Sequence, residues 1–344
     1  MRSQDIFLNL AGHSFLNHHM LIWCATVIPG VSQVAAARQL LRRYLQPTRL
    51  VNAESLESRS QARVYLKLET DLPTGSFKLR GALNGLLTTA AQRPVSGVVA
   101  ASTGNHGAAV AYAARIGKVG ATIFLPENPN PVKRGRIVAL GAKVVERGAM
   151  GQTAASDGAA AFAREHGHYF LDDASDPLVP AGTATIASEI LDEIAAPDVI
   201  FAPMGDTALI RGVAAEAKRR HPGARIIAVQ PEQAPAYVRS WQQGRVVVGD
   251  ACKTIADGLA SLHPIEANVI AIRELVDEVR LVTEQELLDA IRILLLDEHV
   301  VAEPAGAAAT AAFLQDPSAY ADAKVILLVT GANLSPEVLR RAIT

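Results

Sequence analysis

From residue 63 onward the chain alternates short apolar runs with alanine-rich stretches, and no other feature constrains its fold as tightly. The runs VYLKLE (64–69), GVVAAS (97–102), ATIFLP (121–126), KVVERG (143–148), HYFLDD (168–173), DVIFAPM (198–204), ARIIAVQ (224–230) and KVILLVT (324–330) read as strands. The stretches between them, such as GAAVAYAARIG (107–117) and GTATIASEILDEI (182–194), are roughly 10–15 residues long and read as helices. Strand, helix and strand in strict succession predict an α/β protein with open, mostly parallel sheets and helices on both faces. Upstream, VSQVAAARQLLRRYL after Pro29 carries a helical pattern on Val34, Leu40, Leu41 and Leu45. No internal repeat is present, and AEPAGAAATAA (302–312) reads as a packed helix.

Three of the strands run into small-residue turns: AASTGNHGAAV (100–110), APMGDTALIRG (202–212) and LVTGANLSPEV (328–338). In open α/β sheets ligands bind at the carboxyl ends of strands, where helix N-termini present free N–H groups to anions. Any one such turn is ordinary. Together with a fourth, TDLPTGSFKLRG (70–81), where Lys78 sits at the meeting of the turn and a helix, they are harder to dismiss, although a lone lysine there also reads as part of a solvated helix face. Gly205, Asp206, Thr207 and Ala208 precede a helix and suit a phosphate held by backbone N–H groups and a hydroxyl. Neither GxGxxG nor GxxxxGK[ST] occurs, so a dinucleotide or a nucleoside triphosphate is not favoured. A phosphate site beside a turn lysine points instead to a carbonyl cofactor held as a Schiff base, pyridoxal 5′-phosphate.

Composition narrows the partners. With 33 basic and 34 acidic residues and a net charge of −1, nothing electrostatic recommends nucleic acid or an anionic membrane surface. No apolar run approaches the ~20 residues needed to span a bilayer. The two cysteines, Cys24 and Cys252, show no metal or redox spacing, which suits a cytoplasmic location. Residues 1–29 are compositionally apart, with three of the nine histidines, and read as a peripheral extension.

PTGSFKLRGA (73–82) and ASTGNHGAAVA (101–111) resemble the lysine and asparagine motifs of the threonine/serine dehydratase group. These are pyridoxal-phosphate enzymes of the tryptophan-synthase-β-like fold. TIADGLA (254–260), AEPAGAAA (302–309) and VTGANL (329–334) follow in the order of that group, so the resemblance runs from about residue 30 to the end. It implies two domains, a large one at 30–90 and 175–344 and a small inserted one at 91–174, with cofactor and substrate between them and a homodimeric assembly.

Residue by residue, the resemblance makes Lys78 the Schiff-base lysine and the group that moves protons at the substrate Cα. It sets Phe77 near the ring and gives Asn105 the ring's phenolic oxygen. The backbone of Ser102, Thr103, Gly104, Asn105 and His106 would hold the substrate carboxylate. Gly205, Asp206, Thr207, Ala208 and Leu209 would form the phosphate loop, and Thr330 would face the pyridine nitrogen. A hydroxyl there does not compel ring protonation, which suits early loss of a leaving group from Cβ. The expected reaction is dehydration and deamination of a hydroxy amino acid, L-threonine or L-serine by default, to a 2-oxo acid and ammonia. Desolvation is expected to lower the pKa of Lys78.

The chain also departs from the group. Its phosphate loop is usually four glycines, and here Asp206 introduces a charge that repels phosphate unless its side chain turns away. AGTAT (181–185) stands where AGQGT is usual. Gln230 and Ala236 occupy positions where a divalent metal would need acidic ligands, so no metal is expected. Thr103 stands where racemases of the group carry a serine that acts on the second face of Cα, which keeps a racemase open. A β- or γ-replacement synthase and a non-catalytic cofactor-binding protein also stay open. His106 reads as shaping its turn, Cys252 as an inert thiol, and Glu303, after the strand-like HVVA, as either structural or close to the ring.

Overall fold

The computed structural model of the protein describes residues 27–102, 104–125, 131–146, 151–250 and 252–344. Two sheets organise it. The first has six strands in the order β1 (Leu50–Asn52), β2 (Arg63–Leu68), β10 (Lys324–Val329), β7 (Val199–Pro203), β8 (Arg225–Pro231) and β9 (Glu278–Val282). Only β1 runs antiparallel to its neighbour. The second has four parallel strands in the order β5 (Lys143–Glu146), β4 (Gly120–Leu125), β3 (Gly97–Ala101) and β6 (Tyr169–Phe170).

The helices in chain order are α1 (Val31–Leu41), α2 (Glu54–Ser60), α3 (Lys78–Gln92), α4 (Asn105–Gly117), α5 (Pro131–Ala139), α6 (Gly151–His166) and α7 (Val179–Glu193). They continue with α8 (Ala208–Arg220), α9 (Ala236–Gln243), α10 (Glu266–Leu275), α11 (Glu284–Leu296), α12 (Pro304–Leu314) and α13 (Pro336–Ile343).

Strand β10 shows why the sheets are apolar on both sides. Successive side chains point to opposite faces. Val325, Leu327 and Val329 therefore enter one core with residues of α11 and α12, while Ile326 and Leu328 enter another with residues of α7 and α8. Each fully buried side chain of this kind contributes about 1.5–3 kcal/mol. In β3 the same alternation sends Val98 and Ala100 towards α3 and α4, and Val99 towards Ala159 and Ala163 of α6. Helix α3 thus packs in one cluster with α4 and the four-stranded sheet, through Leu79, Ala82, Leu83 and Leu86.

The eight expected strands are all present. The sequence reading omits β1, only 3 residues long, and β9, whose EVRLV pattern is mostly half-buried at a sheet edge. HVVA (299–302) is not a strand; His299 adopts a φ of 56° and the segment leads as irregular backbone into α12. At the described end of the expected extension, Val27 is buried against Ala267 and Ala271. Residues 1–26 lie outside the described residues.

Candidate active site

The lysine turn is sewn onto the end of β10. Phe77 N–H donates to the Thr330 carbonyl at 3.0 Å, Ala332 N–H donates to the Gly75 carbonyl at 2.9 Å, and Ser76 bridges Gly331. Gly75 has a φ of 65°, a left-handed conformation that glycine adopts without steric cost. Lys78 is then the first residue of α3. Two residues on, Arg80 anchors the helix start while only 1% exposed. Its Nε donates to Glu69 Oε2 at 2.7 Å and its Nη1 to Glu189 Oε1 at 2.6 Å, and Lys67 Nζ reaches Glu189 Oε2 at 2.7 Å. The turn is therefore fixed from the strand side by backbone bonds and from the helix side by buried charges.

The Lys78 amine opens into a cleft between elements of the two sheets. There it pairs with the carboxylate of Asp173, three residues past β6. Burial alone would lower the Lys78 pKa, as the sequence suggests, but Asp173 and Asp206 together hold it above the ordinary lysine value. Burial works against Asp173 ionising too, yet Lys78 and His106 keep its carboxyl well below the usual range. His106 does shape its turn: Nε2 donates to the Leu171 carbonyl at 2.8 Å, and Nδ1 lies 3.9 Å from Asp173.

Asn105 opens α4, and its amide spans the cleft. Its NH2 donates to Glu303, which caps the start of α12, while its carbonyl accepts from Asn333 Nδ2 at 2.6 Å. Asn333 also donates to the Thr74 carbonyl at 3.1 Å and bonds Arg136. Glu303 is 2% exposed, and burial raises its carboxyl to about 7 despite Lys133 and Asn105. Thr330 lies 3% exposed, its hydroxyl at 3.3 Å from the Ala305 carbonyl.

Gly205 to Leu209 lead from β7 into α8 and line the same cleft. A Cβ on Gly205 would stand 2.7 Å from the Gly258 carbonyl oxygen, so the loop passes tightly against the 257–259 turn. Asp206 lines the cleft with its carboxyl bonded to the Ser261 side chain, and burial, with Asp173 adding repulsion, raises it to about 6.

The cleft brings together Phe77, Lys78, Asn105 and Thr330 with Ser102, Gly104 and His106 and the loop from Gly205 to Leu209. Thr103 lies outside the described residues. Sequence reasoning misses Asp173, Lys133 and Asp257, which line the cleft too. Asp173 closes the HYFLDD run at a strand's carboxyl end, and that position is its one available signal. Lys133 and Asp257 pair across the cleft and carry no local pattern.

Comparison with known proteins decides what such a cleft belongs to. The family model of the pyridoxal-phosphate dependent enzymes matches residues 41–331. The chain belongs to that family. Its relatives include the L-threonine ammonia-lyase of Thermotoga maritima, 34% identical over 91% of this chain and 78% of that protein. The L-threo-3-hydroxyaspartate ammonia-lyase of Saccharomyces cerevisiae is 31% identical over 90% and 94%. Among solved structures, a threonine deaminase from T.th. superposes with a TM-score of 0.83 at 34% identity, covering 89% of this chain and 99% of the other. The expected α/β fold of the tryptophan-synthase-β type and the expected pyridoxal-phosphate enzyme of ammonia-lyase type are both borne out.

The residues of this chain fit the family's cofactor. Lys78 would meet the aldehyde once its proton is lost, the N-terminus of α8 and the Thr207 hydroxyl would meet the phosphate, and the Thr330 hydroxyl would meet the ring nitrogen. Among the described residues no cluster could hold a metal ion, and no helix is long and apolar enough to cross a membrane.

Proposed function

We propose that the protein eliminates water from a β-hydroxy amino acid, L-threonine or L-serine, and that hydrolysis of the resulting imine returns a water and releases ammonia, giving 2-oxobutanoate or pyruvate. The observation that carries this reading is the amine of Lys78 held in the cleft by Asp173, facing the loop that opens α8. Pyridoxal phosphate supplies, when bound, an aldehyde that condenses with amines and a ring that draws electron density from Cα.

The chain's own groups do the rest. The N-terminus of α4 and the Ser102 hydroxyl offer donors to the substrate carboxylate, orienting its Cα towards Lys78. The Ser102 N–H, by contrast, is taken by the Phe124 carbonyl at 3.0 Å and the Gly104 N–H by Ser102 Oγ at 3.0 Å. Lys78 takes the Cα proton, and the electron pair left behind expels the β-hydroxyl, which leaves as water after gaining a proton. The released enamine tautomerises to an imine, and water hydrolyses it to the 2-oxo acid and ammonia. Asp173 holds the lysine amine in place and accepts its charge whenever it is protonated. Asn105 is clamped by Glu303 and Asn333, so its amide is preset before any ligand arrives. Thr330 brings no charge to the ring, which favours prompt elimination over a long-lived carbanion.

A second reading has one specific support. Lys133 lines the cleft beside Gly104 and pairs with Asp257. A substrate bearing a carboxylate on Cβ, as 3-hydroxyaspartate does, would find a cation there. We further place the protein in the cytoplasm as a homodimer, on the family resemblance and on cysteines in no redox spacing.

The test is release of 2-oxo acid and ammonia from L-threonine, L-serine and L-threo-3-hydroxyaspartate, with Lys78→Ala beside the wild type. Lysine-dependent release from threonine or serine supports the first reading. Release from hydroxyaspartate alone transfers support to the second. Ammonia only when a second nucleophile is added would make the protein a synthase, and interconversion of D- and L-serine without 2-oxo acid would make it a racemase.

A further inference from the structure

The loop at the start of α8, Gly-Asp-Thr-Ala where four glycines are usual, is held from one turn inside the helix. Thr207 has a φ of 70°, a left-handed conformation that costs a β-branched residue about 1–2 kcal/mol. Arg211, four residues on, holds it there: Nε donates to Thr207 Oγ1 at 3.0 Å, and its backbone N–H donates to the Thr207 carbonyl at 2.9 Å. The same guanidinium donates to the Val27 carbonyl at 2.9 Å and to the Ala174 carbonyl at 3.0 Å. Every one of these acceptors is uncharged. Arg211 is nevertheless only 1% exposed, and burial pulls its pKa down to about 10 against the pull of Tyr237, Asp173 and Asp206 through space.

A buried cation without a bonded carboxylate is costly unless an anion completes its surroundings. The Thr207 hydroxyl has a matching deficit. It accepts from Arg211, and no acceptor among the described residues takes its own proton. Thr207 lines the cleft, at the N-terminus of a helix of 13 residues. One anion placed there supplies both missing partners, an acceptor for the hydroxyl and a counter-charge for the guanidinium.

We propose that Arg211 is a positioning residue for the cofactor phosphate, setting the Thr207 hydroxyl to donate to it and supplying the positive charge that offsets Asp206. Arg211 does not touch the ligand; it acts through Thr207 and through its field. Asp206, in the same loop, opposes the phosphate whenever it is ionised, and Arg211, one turn into α8, balances that charge. By bonding Ala174, Arg211 also ties the phosphate site to the segment that carries Asp173.

The experiment compares two probes of one site, pyridoxal phosphate and pyridoxal, which lacks the phosphate, by absorbance titration at about pH 8, where Asp206 is charged. Arg211→Gln is expected to weaken pyridoxal phosphate by about tenfold to a hundredfold, the range of a lost charge-assisted interaction, and pyridoxal by less than about twofold. Adding Asp206→Asn to Arg211→Gln is expected to restore most of the loss, although the two side chains share no hydrogen bond. Arg211→Lys, which keeps the charge, is expected to keep the ratio between the two probes even where it lowers Tm, and it carries the test if Arg211→Gln does not fold. Equal weakening of both probes, no weakening of either, or no restoration by Asp206→Asn would each overturn the proposal. None of these readouts depends on which amino acid the enzyme consumes.

Discussion

Lys78 and Asp173 lie 95 residues apart in the chain, on segments attached to different sheets, and meet as an ion pair inside the cleft. The lysine starts the helix that follows β2, and the aspartate opens the turn after β6. The pair sets the charge state of the amine before any ligand binds.

Asp173→Asn therefore moves two observables. The carboxyl of Asp173 is held below its ordinary range, so its stabilisation is complete above about pH 4 and fades as pH falls through the lower folded value. The variant should lose about 3 kcal/mol at pH 7, and the gap should narrow steadily as pH falls below about 4. At the same time burial of Lys78 is less opposed, its pKa falls, and capture of pyridoxal phosphate moves to lower pH. Thermal melts and stopped-flow absorbance across the pH range check both.

Asp206→Asn should behave in the opposite way with pH. Its carboxyl is raised to about 6, so the folded state holds the proton more tightly than the unfolded chain does between about pH 4 and 6. Stability from this group is present below that window and lost as pH rises through it. The variant should match the wild type near pH 4 and exceed it by on the order of 2 kcal/mol at pH 7. Denaturant titrations of the cofactor-free protein at the two pH values measure it. Equal stability at both would show that Asp206 ionises in the fold as freely as in water.

Arg80→Met strands Glu69, which is fully buried and loses both of its bonds to the guanidinium. A buried carboxylate left in this way costs about 3–5 kcal/mol. Because Arg80 lies one half-turn from Lys78, cofactor capture should slow together with the fall in stability. Glu69→Gln on the Arg80→Met background should recover part of the loss.

Gly306→Ala tests the seam between α12 and the end of β10. An added Cβ would stand 2.3 Å from the Gly331 carbonyl oxygen, and backbone there cannot retreat without shifting Thr330 and the lysine turn it holds. A loss of about 1–3 kcal/mol is expected, with weaker binding of pyridoxal phosphate. A variant with unchanged Tm and affinity would show that the seam yields freely.

Lys133→Gln separates the substrates. If Lys133 meets a carboxylate on Cβ, its loss should lower kcat/KM for L-threo-3-hydroxyaspartate by about tenfold or more and leave L-threonine within about twofold. Parallel losses would assign Lys133 to closing the cleft through Asp257.

Much of this architecture can be read from the chain because it rests on local pattern. Runs such as KVILLVT and DVIFAPM show their burial in the order of their residues, and the small-residue turns after them mark where a ligand can approach. Lys78, Asn105 and the Gly205 turn sit inside such motifs. Asp173, Lys133 and Asp257 do not. Their roles arise from pairings across 95 and 124 residues, and no periodicity records a partner so far away. The charge of Lys78 is misjudged from the sequence for the same reason: burial is legible locally, whereas the opposing carboxylates come from beyond β6 and from the loop after β7. Strand β9 escapes notice because a sheet edge is covered on fewer sides, and its residues look like surface.

The position of β10 has a consequence for how the protein is made. It lies between β2 and β7, yet it is synthesised after both. Until residues 324–329 leave the ribosome, those two strands face a gap with unpaired backbone groups, the kind of edge that recruits strands from other chains. The nascent protein is therefore most vulnerable to aggregation just before its last strand emerges. Because Thr330 and Gly331 hold the lysine turn, pyridoxal phosphate cannot be captured in its final pose until that gap has closed.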